Sequence, residues 1–195
     1  MALKLLALVT AVAAFAPAVD RAAISTRRHA GDKSMSLPFL ERPAKLDGSL
    51  VGDVGFDPLM LTDVQPDLMY ARTAEIKHGR IAMLAVVGFI VEEFVHLPGA
   101  AYQEANPLKA ISAVPVAANV QILLVAAVIE LATIDKTYGD KPGDLGFDPL
   151  SFSVKKTEAQ VKDFQLKELK NGRLAMIAFL GMVVQTMLFD KPLLG

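Results

Sequence analysis

The chain has 195 residues, of which 53% are hydrophobic, and its net charge at pH 7 is −1. A mean hydropathy of +0.40 is high for a soluble domain, and the sequence has no basic stripe with interleaved aromatic residues that would indicate nucleic acid binding. Because cysteine is absent, disulfides, thiolate metal sites and thiol chemistry are excluded. The composition indicates one compact, strongly apolar unit.

The first 34 residues have the composition of a targeting sequence. Lys4 precedes a short apolar run over residues 5–14, as in a signal peptide. A basic, hydroxyl-rich stretch over residues 15–34 follows, as in a transit peptide. The two in series predict a bipartite presequence, residues 1–34, that directs the chain to a plastid inside additional membranes. An ordinary secretory signal followed by a propeptide is the alternative.

Residues 35–195 predict an all-α membrane domain with three spanning helices, at about 66–96, 111–134 and 157–189. The second segment has a single charge, Glu130, in 24 residues, so it has no polar face to present to water. A soluble three-helix bundle is the alternative. Pro115 lies near the start of the second segment, where a helix is expected to accommodate it.

The first and third helices are expected to cross the membrane in the same direction, because a single span separates them. A hydrocarbon core needs about 20 residues of helix, and these two helices reach that length only if their charged turns lie inside the bilayer and are neutralised there. The predicted fold therefore has the first and third helices crossed and related by a pseudo-two-fold axis along the membrane normal.

An eleven-residue motif occurs in both of these helices. It reads EIKHGRIAMLA at Glu75–Ala85 and ELKNGRLAMIA at Glu168–Ala178, with seven identities. In each copy arginine follows glutamate by five residues, a spacing that does not bring the two together on one helix. Across the two-fold axis Glu75 reaches Arg173, and Glu168 reaches Arg80, so each helix supplies the counter-ion of the other. A structural pair of salt bridges without a cofactor is the alternative.

A second repeat precedes each of these helices. GDVGFDPL at 52–59 returns as GDLGFDPL at 143–150, with seven identities in eight. Its Gly, Asp and Pro favour tight turns, and its Phe and Leu predict apolar anchors at the membrane surface. Small residues also recur along each repeated helix and permit close approach of a second helix or of a flat ring system. They are Gly79, Ala82, Ala85 and Gly88 in the first helix and Gly172, Ala175, Ala178 and Gly181 in the other.

The eleven-residue motif also contains paired donors for a metal ion. Glu75 and His78 lie on neighbouring parts of one helix face, as do Glu168 and Asn171. Carboxylate, imidazole and amide groups can all donate to a cation such as magnesium. These donors do not form a full cage, but one donor suits a magnesium ion that is already held by four macrocycle nitrogens and has one axial position open. The pattern therefore predicts chlorophyll.

Three further residues are candidate axial ligands. Gln185 lies about 21 Å along the third helix from Asn171, near the other membrane surface. Gln121 and Glu130 are nine residues apart on the second helix, hence on opposite faces, and each can hold one pigment. A buried, protonated or snorkelling Glu130 that holds no pigment is the alternative at that position.

These motifs resemble those of the light-harvesting chlorophyll-binding antenna proteins. ExxHGRxAM, ExxNGRxAM, two GFDPL loops and three spans carry the resemblance, over residues 37–189. It implies axial chlorophyll ligands, arginines that lock the crossed helices, and two central xanthophylls held near the GFDPL loops. The implied ligands are Glu75, His78, Glu168, Asn171 and Gln185, and the implied arginines are Arg80 and Arg173.

Within this family, the stretch PFLERPAKLDG at 38–48 and the presequence look most like fucoxanthin chlorophyll a/c or red-algal-type antennae. The implied cofactors are chlorophyll a, chlorophyll c and fucoxanthin-like xanthophylls. The implied partners are a photosystem core, with photosystem I favoured, neighbouring antenna proteins and thylakoid lipid. The implied location is the plastid thylakoid membrane, as a multi-pass protein. The sequence ends six residues after Phe189, so one pigment site of land-plant members is expected to be absent.

The resemblance implies a light-harvesting antenna that passes excitation energy to a photosystem core, and not an enzyme. The sequence contains no nucleophile elbow, phosphate loop or metal-hydrolase spacing. The alternatives are a photoprotective, energy-dissipating member of the same family, a small ion-paired membrane transporter, and an assembly protein without pigment.

Overall fold

The computed structural model describes residues 33–139, 141–149 and 156–193. In these ranges every regular element is a helix, apart from an isolated antiparallel bridge between Lys33 and Glu41. The prediction of an all-α fold is confirmed at this level. Residues 1–32 of the predicted presequence lie outside the described residues.

The helices fall into two compact units, residues 1–66 and 67–195. The first unit contains the short helix α1. The second contains two long helices, several short ones and a 3-10 turn at Ala100–Tyr102. The bounds are α1 Leu61–Val64, α2 Leu68–Phe94, α3 Pro107–Ala113, α4 Val116–Ala132, α5 Ile134–Thr137 and α6 Glu158–Phe189.

Side-chain caps fix where the long helices begin. The Asp67 carboxylate accepts hydrogen bonds from the backbone N–H groups of Met69 and Tyr70, which α2 would otherwise leave unpaired. At the start of α6, Thr157 and Gln160 form a reciprocal capping box. The helix expected at about 66–96 therefore spans Leu68–Phe94, and the one expected at 157–189 spans Glu158–Phe189.

The segment expected to be one helix over 111–134 is broken near its start. The chain bends by 107° between α3 and α4. Pro115 has no backbone N–H to donate, and its ring disfavours helical geometry at the preceding residue. Val114 accordingly has φ −73° and ψ 142°, which is extended. The expectation that the helix accommodates Pro115 without interruption is wrong.

The repeated glycine-aspartate loops have the same local conformation in both copies. In the first loop the Asp53 carboxylate accepts a hydrogen bond from the Gly55 N–H at 2.8 Å, and in the second Asp144 accepts one from the Gly146 N–H at 2.9 Å. Gly55 and Gly146 have φ values of 67° and 66°, a region that glycine tolerates and other residues rarely adopt. Seven identities thus produce the same turn twice, although Leu150 of the second copy lies outside the described residues.

A basic side chain from outside each repeat holds each turn. In the first unit the Arg42 guanidinium lies 3.5 Å from the Asp53 carboxylate and donates to the Leu46 carbonyl. In the second unit the Lys136 ammonium donates to the Leu145 carbonyl. The two loops share their backbone conformation but are stabilised by different parts of the sequence.

Few apolar side chains of the described residues are buried within the protein. The buried ones are Ala82, Leu169, Ala175 and Met182. Helix α4 has no buried residue at all, and large side chains such as Leu123 are two-thirds exposed. By length and composition α6 is able to cross a membrane, and α3 with α4 makes a second such segment if the bent pair is taken as one.

Candidate functional site

Helices α2 and α6 exchange two ion pairs at the repeated motif. The Arg80 Nε lies 2.7 Å from Glu168 Oε1, and the Arg173 Nε lies 2.7 Å from Glu75 Oε1. The reciprocal pairing predicted from the five-residue spacing is therefore confirmed. The four side chains are between 28% and 40% exposed, so the pairs lie at the edge of the helix contact and are accessible from outside it.

The two backbones come closest at the glycine of each motif. A Cβ atom built on Gly79 would lie only 2.9 Å from the Cα of Gly172. Ala82 and Ala175 are buried one turn further along. The space left between the helices at this point is about 10 Å³, which is at the lower limit for a single water molecule. A larger group held by the repeated glutamates must therefore lie on the outer side of the helix pair.

Gly88 and Gly181 do not take part in this contact. A Cβ atom built on Gly88 or on Gly181 would meet no atom within 4 Å in the described structure. The rows of small residues thus have two parts, one where the helices touch and one that leaves open surface. Close to these glycines in the sequence, Phe89 and Phe179 meet edge to face, with ring centroids 5.5 Å apart.

The two repeated glutamates have different surroundings. At Glu75 the second carboxylate oxygen, Oε2, lies 3.2 Å from Nη1 of Arg72, whose side chain is 9% exposed. The equivalent of Arg72 in the second copy is Gln165, which is neutral and exposed. Oε2 of Glu168 accepts no hydrogen bond from the described part of the chain. This difference was not predicted, because Arg72 lies outside the eleven matched residues. Its spacing of three from Glu75 was the available signal, since residues three apart on a helix are in contact.

His78 presents one ring nitrogen to the outside of α2. Its Nδ1 lies 2.7 Å from the carbonyl oxygen of Ala74, which can only accept a hydrogen bond. Nδ1 of the neutral imidazole therefore carries the proton, and Nε2 keeps its lone pair for a metal ion. The His78 side chain is exposed, as is Asn171 at the equivalent position of α6.

A cavity of about 380 Å³ lies beside His78, between α2 and the segment formed by α4 and α5. Its volume is within the range of small-molecule sites. Lys77 lines this cavity and links its two walls, because the Lys77 ammonium lies 2.7 Å from Glu130 Oε2 and 2.8 Å from the Thr137 hydroxyl. Tyr70 and Tyr138 stack nearby, with their rings 9° from parallel and 5.6 Å between centroids.

The ion pair of Lys77 and Glu130 was not predicted from the sequence. Glu130 is 59% exposed and paired with Lys77, so it is not buried within the described part of the protein. A single carboxylate in an otherwise apolar helix was the available signal, because such a group generally has a cationic partner on a neighbouring helix. The sequence alone does not show which lysine approaches it.

The remaining candidate ligands lie on exposed surface, away from the crossing of α2 and α6. Gln185 is exposed on the last turns of α6. Its Nε2 lies 3.5 Å from the Leu193 carbonyl oxygen, and its amide oxygen takes no part in this contact. Gln121 is exposed on α4. Among the described residues, His, Asp and Glu form no group of three or more that is able to hold a bare metal ion.

The candidate site thus consists of two packed helices, two reciprocal ion pairs and single candidate donors on partly or fully exposed helix surfaces. The family model described as chlorophyll A-B binding protein matches residues 42–187. The chain therefore belongs to the chlorophyll A-B binding protein family.

Individual relatives agree with this assignment. A fucoxanthin-chlorophyll a-c binding protein of Chattonella marina var. antiqua is 43% identical over 159 residues, which cover 72% of this chain and 71% of the relative. Chlorophyll a-b binding protein 1B-21 of Hordeum vulgare is 40% identical over 163 residues, 76% of this chain and 65% of the relative. Chlorophyll a-b binding protein 6 of Arabidopsis thaliana is 38% identical over 164 residues, 76% of this chain and 66% of the relative. The chain thus spans just under two thirds of these two plant proteins.

Proposed function

We propose that this protein is a light-harvesting antenna that binds chlorophylls and xanthophylls and passes excitation energy to a photosystem core. The observation that carries the proposal is the pair of motif glutamates, each neutralised by an arginine of the other helix and each partly exposed on the outer side of the contact. Membership of the chlorophyll A-B binding protein family supports the same ligand. The protein acts by positioning pigments and has no enzymatic role.

The domain is proposed to cross the thylakoid membrane three times, with α2, α4 and α6 as the spans. Exposed apolar side chains on all three helices support this, because water does not solvate such surfaces favourably. The pairing of Arg80 with Glu168 and of Arg173 with Glu75 neutralises the charges of α2 and α6 that would otherwise oppose insertion. The reciprocal pairs and the repeated loop conformation support a pseudo-two-fold axis that relates α2 to α6.

The axial ligands are proposed to be Glu75, His78, Glu168, Asn171 and Gln185. The donor chemistry fits chlorophyll, because each of these residues carries a side-chain oxygen or nitrogen and is exposed or partly exposed on its helix. Chlorophyll, when bound, supplies the absorption of light and the transfer of excitation. The chain itself holds each macrocycle at a fixed position and excludes water with apolar side chains.

Two donors on α4 complete the proposed set. Gln121 offers its amide oxygen. Glu130 pairs with Lys77 through Oε2 and retains Oε1 for a ligand. The exposed surface of α4 supports pigments on both of its faces, because the helix buries no residue against the protein.

The pigments are proposed to include chlorophyll a, chlorophyll c and fucoxanthin-like xanthophylls. The relative from Chattonella marina, whose name states fucoxanthin and chlorophylls a and c, supports this choice. The proposed location is the plastid thylakoid membrane, in agreement with the chloroplastic relatives. The proposed partners are a photosystem core, with photosystem I favoured, and neighbouring antenna proteins.

The proposal is tested by refolding the full chain in detergent with a total plastid pigment extract. Bound chlorophyll with carotenoid bands in the fluorescence excitation spectrum is expected. Glu168→Ala should lose at least one chlorophyll per chain and leave Arg80 without its partner. Lys167→Ala is the matched control, because its ammonium pairs with Asp163 on the exposed surface. A folded but colourless wild-type protein would refute the antenna function, and a full pigment count in Glu168→Ala would refute the ligand assignment.

A further inference from the structure

A short segment at residues 33–41, here called the strap, lies against the first glycine-aspartate loop. Lys33 and Glu41 form the antiparallel bridge that closes the strap. Inside it, the Ser34 N–H donates a hydrogen bond to the Leu40 carbonyl at 3.1 Å. The strap and the loop at 52–59 belong to the same compact unit. The strap therefore starts inside the predicted presequence, whose predicted end is residue 34.

The Ser34 hydroxyl joins the strap to the loop. It donates a hydrogen bond to the Gly55 carbonyl at 2.6 Å, which uses its one proton. The Ser34 Oγ therefore accepts from its two other neighbours, the Ser36 hydroxyl at 3.0 Å and the Leu37 N–H at 3.3 Å. The Ser34 residue is only 3% exposed. A buried hydroxyl with one donated and two accepted hydrogen bonds is fully satisfied, as expected of a residue that belongs to the folded protein.

The loop is closely packed against both Ser34 and Arg42. A Cβ atom built on Gly55 would lie 3.2 Å from Ser34 Oγ and 3.4 Å from Arg42 Cγ. Arg42 also lies 3.5 Å from the Asp53 carboxylate, which in turn accepts the hydrogen bond of the Gly55 N–H. Ser34 and Arg42 thus hold adjacent parts of one turn, Ser34 at the Gly55 carbonyl and Arg42 at Asp53. Removal of either is expected to loosen the turn.

We propose that Ser34 is retained in the mature protein and that a processing endopeptidase removes the presequence by a cut before Ser34. The proposal rests on the predicted presequence and on no pigment assignment. The endopeptidase adds one water molecule across one peptide bond and leaves a new amino terminus on the mature chain. A cut at the predicted end, between Ser34 and Met35, would remove the hydroxyl that binds Gly55 and the N–H that binds Leu40. A cut before Ser34 keeps both, so the presequence ends at residue 33 or earlier.

The first test locates the amino terminus of the mature protein. The protein is purified from the membranes of the cells that make it, its free α-amino group is labelled, and the labelled peptide is identified by mass spectrometry. The first residue is expected to lie after the apolar run at 5–14 and no later than Ser34. A first residue at Met35 or beyond overturns the proposal. A chain that still contains the run at 5–14 also overturns it, because no presequence is then removed.

The second test asks whether Ser34 holds the loop. Hydrogen exchange of the peptide at 50–59 is measured in the refolded full chain. Ser34→Ala should exchange about tenfold faster than the wild type, because the Gly55 carbonyl loses its buried partner. Ser36→Ala is the matched control, since Ser36 is exposed and does not contact the Gly55 carbonyl through this hydrogen bond, and it should exchange at close to the wild-type rate. Equal rates in Ser34→Ala and the wild type would remove the reason to retain Ser34 and overturn the proposal. If Ser34→Ala does not refold, the position of the wild-type amino terminus decides.

Discussion

The contact of Gly79 with Gly172 makes the helix crossing sensitive to a single methyl group. In Gly79→Ala the new Cβ atom would lie 2.9 Å from the Cα of Gly172, whereas carbon atoms pack at about 3.5–4.0 Å. Because the opposing atom is backbone, the helices must separate by roughly 0.6–1.1 Å, which also strains the ion pairs on either side. Overpacking of this kind costs about 1–3 kcal/mol.

Alanine also favours the helix over glycine by about 1 kcal/mol, so Gly79→Ala needs a control that shares this gain. Gly88→Ala is that control, because a Cβ atom at Gly88 meets nothing within 4 Å in the described structure. The difference between the two variants isolates the contact, and Gly79→Ala should be less stable by about 1–3 kcal/mol. Far-UV circular dichroism during titration of the refolded complex with denaturing detergent measures this difference, at equal pigment content. Equal stability of the two variants would refute the close backbone approach.

Three further predictions concern other parts of the chain. His78→Ala should lose one chlorophyll per chain, as measured by pigment chromatography. His78→Asn should keep it, because asparagine occupies this position in the second copy of the motif. Equal loss in both variants would contradict axial ligation. Lys77→Met should lower the free energy of unfolding by about 1 kcal/mol, because it leaves Glu130 without its cation, and Lys170→Met at the equivalent position should have little effect. Burial raises the pKa of the Asp57 carboxyl, but hydrogen bonds from Thr62 and Leu61 lower it by more. The pKa therefore lies below the ordinary value of 3.8. Its stabilising effect is therefore complete above pH 3.8 and lost as the pH falls through the folded-state pKa. Hydrogen exchange of the α1 segment should show this loss in the wild type and not in Asp57→Asn.

The sequence predicts the charge pairing well, because the repeated motif allows only one way to pair its two glutamates with its two arginines. A spacing of five residues prevents pairing within a helix, and the repeat offers a partner of opposite charge in the other copy. The positions of α2 and α6 are also predicted from the sequence, because their polar caps and apolar runs are strong local signals.

Other features depend on tertiary structure or on small energetic differences. The break at Pro115 was not predicted, because a proline near the start of a helix is compatible with either a first turn or an interruption. The pairing of Lys77 with Glu130 requires α4 to approach α2 at a particular depth, which no local pattern reports. The additional arginine near Glu75 was not predicted, because a repeat is recognised by its identical residues. Arg72 is replaced by Gln165 at the equivalent position of the second copy.

The exchange of ion pairs between α2 and α6 has a consequence for the folding of the chain. Arg80 takes its carboxylate partner from a residue 88 positions later, and Glu75 takes one of its two arginine partners from a residue 98 positions later. A fragment that ends before Glu168 would leave Arg80 without its carboxylate partner in an apolar environment, at a cost of several kcal/mol. Partial products of synthesis or cleavage that lack α6 are therefore expected to be less stable than the complete domain and more open to proteolysis.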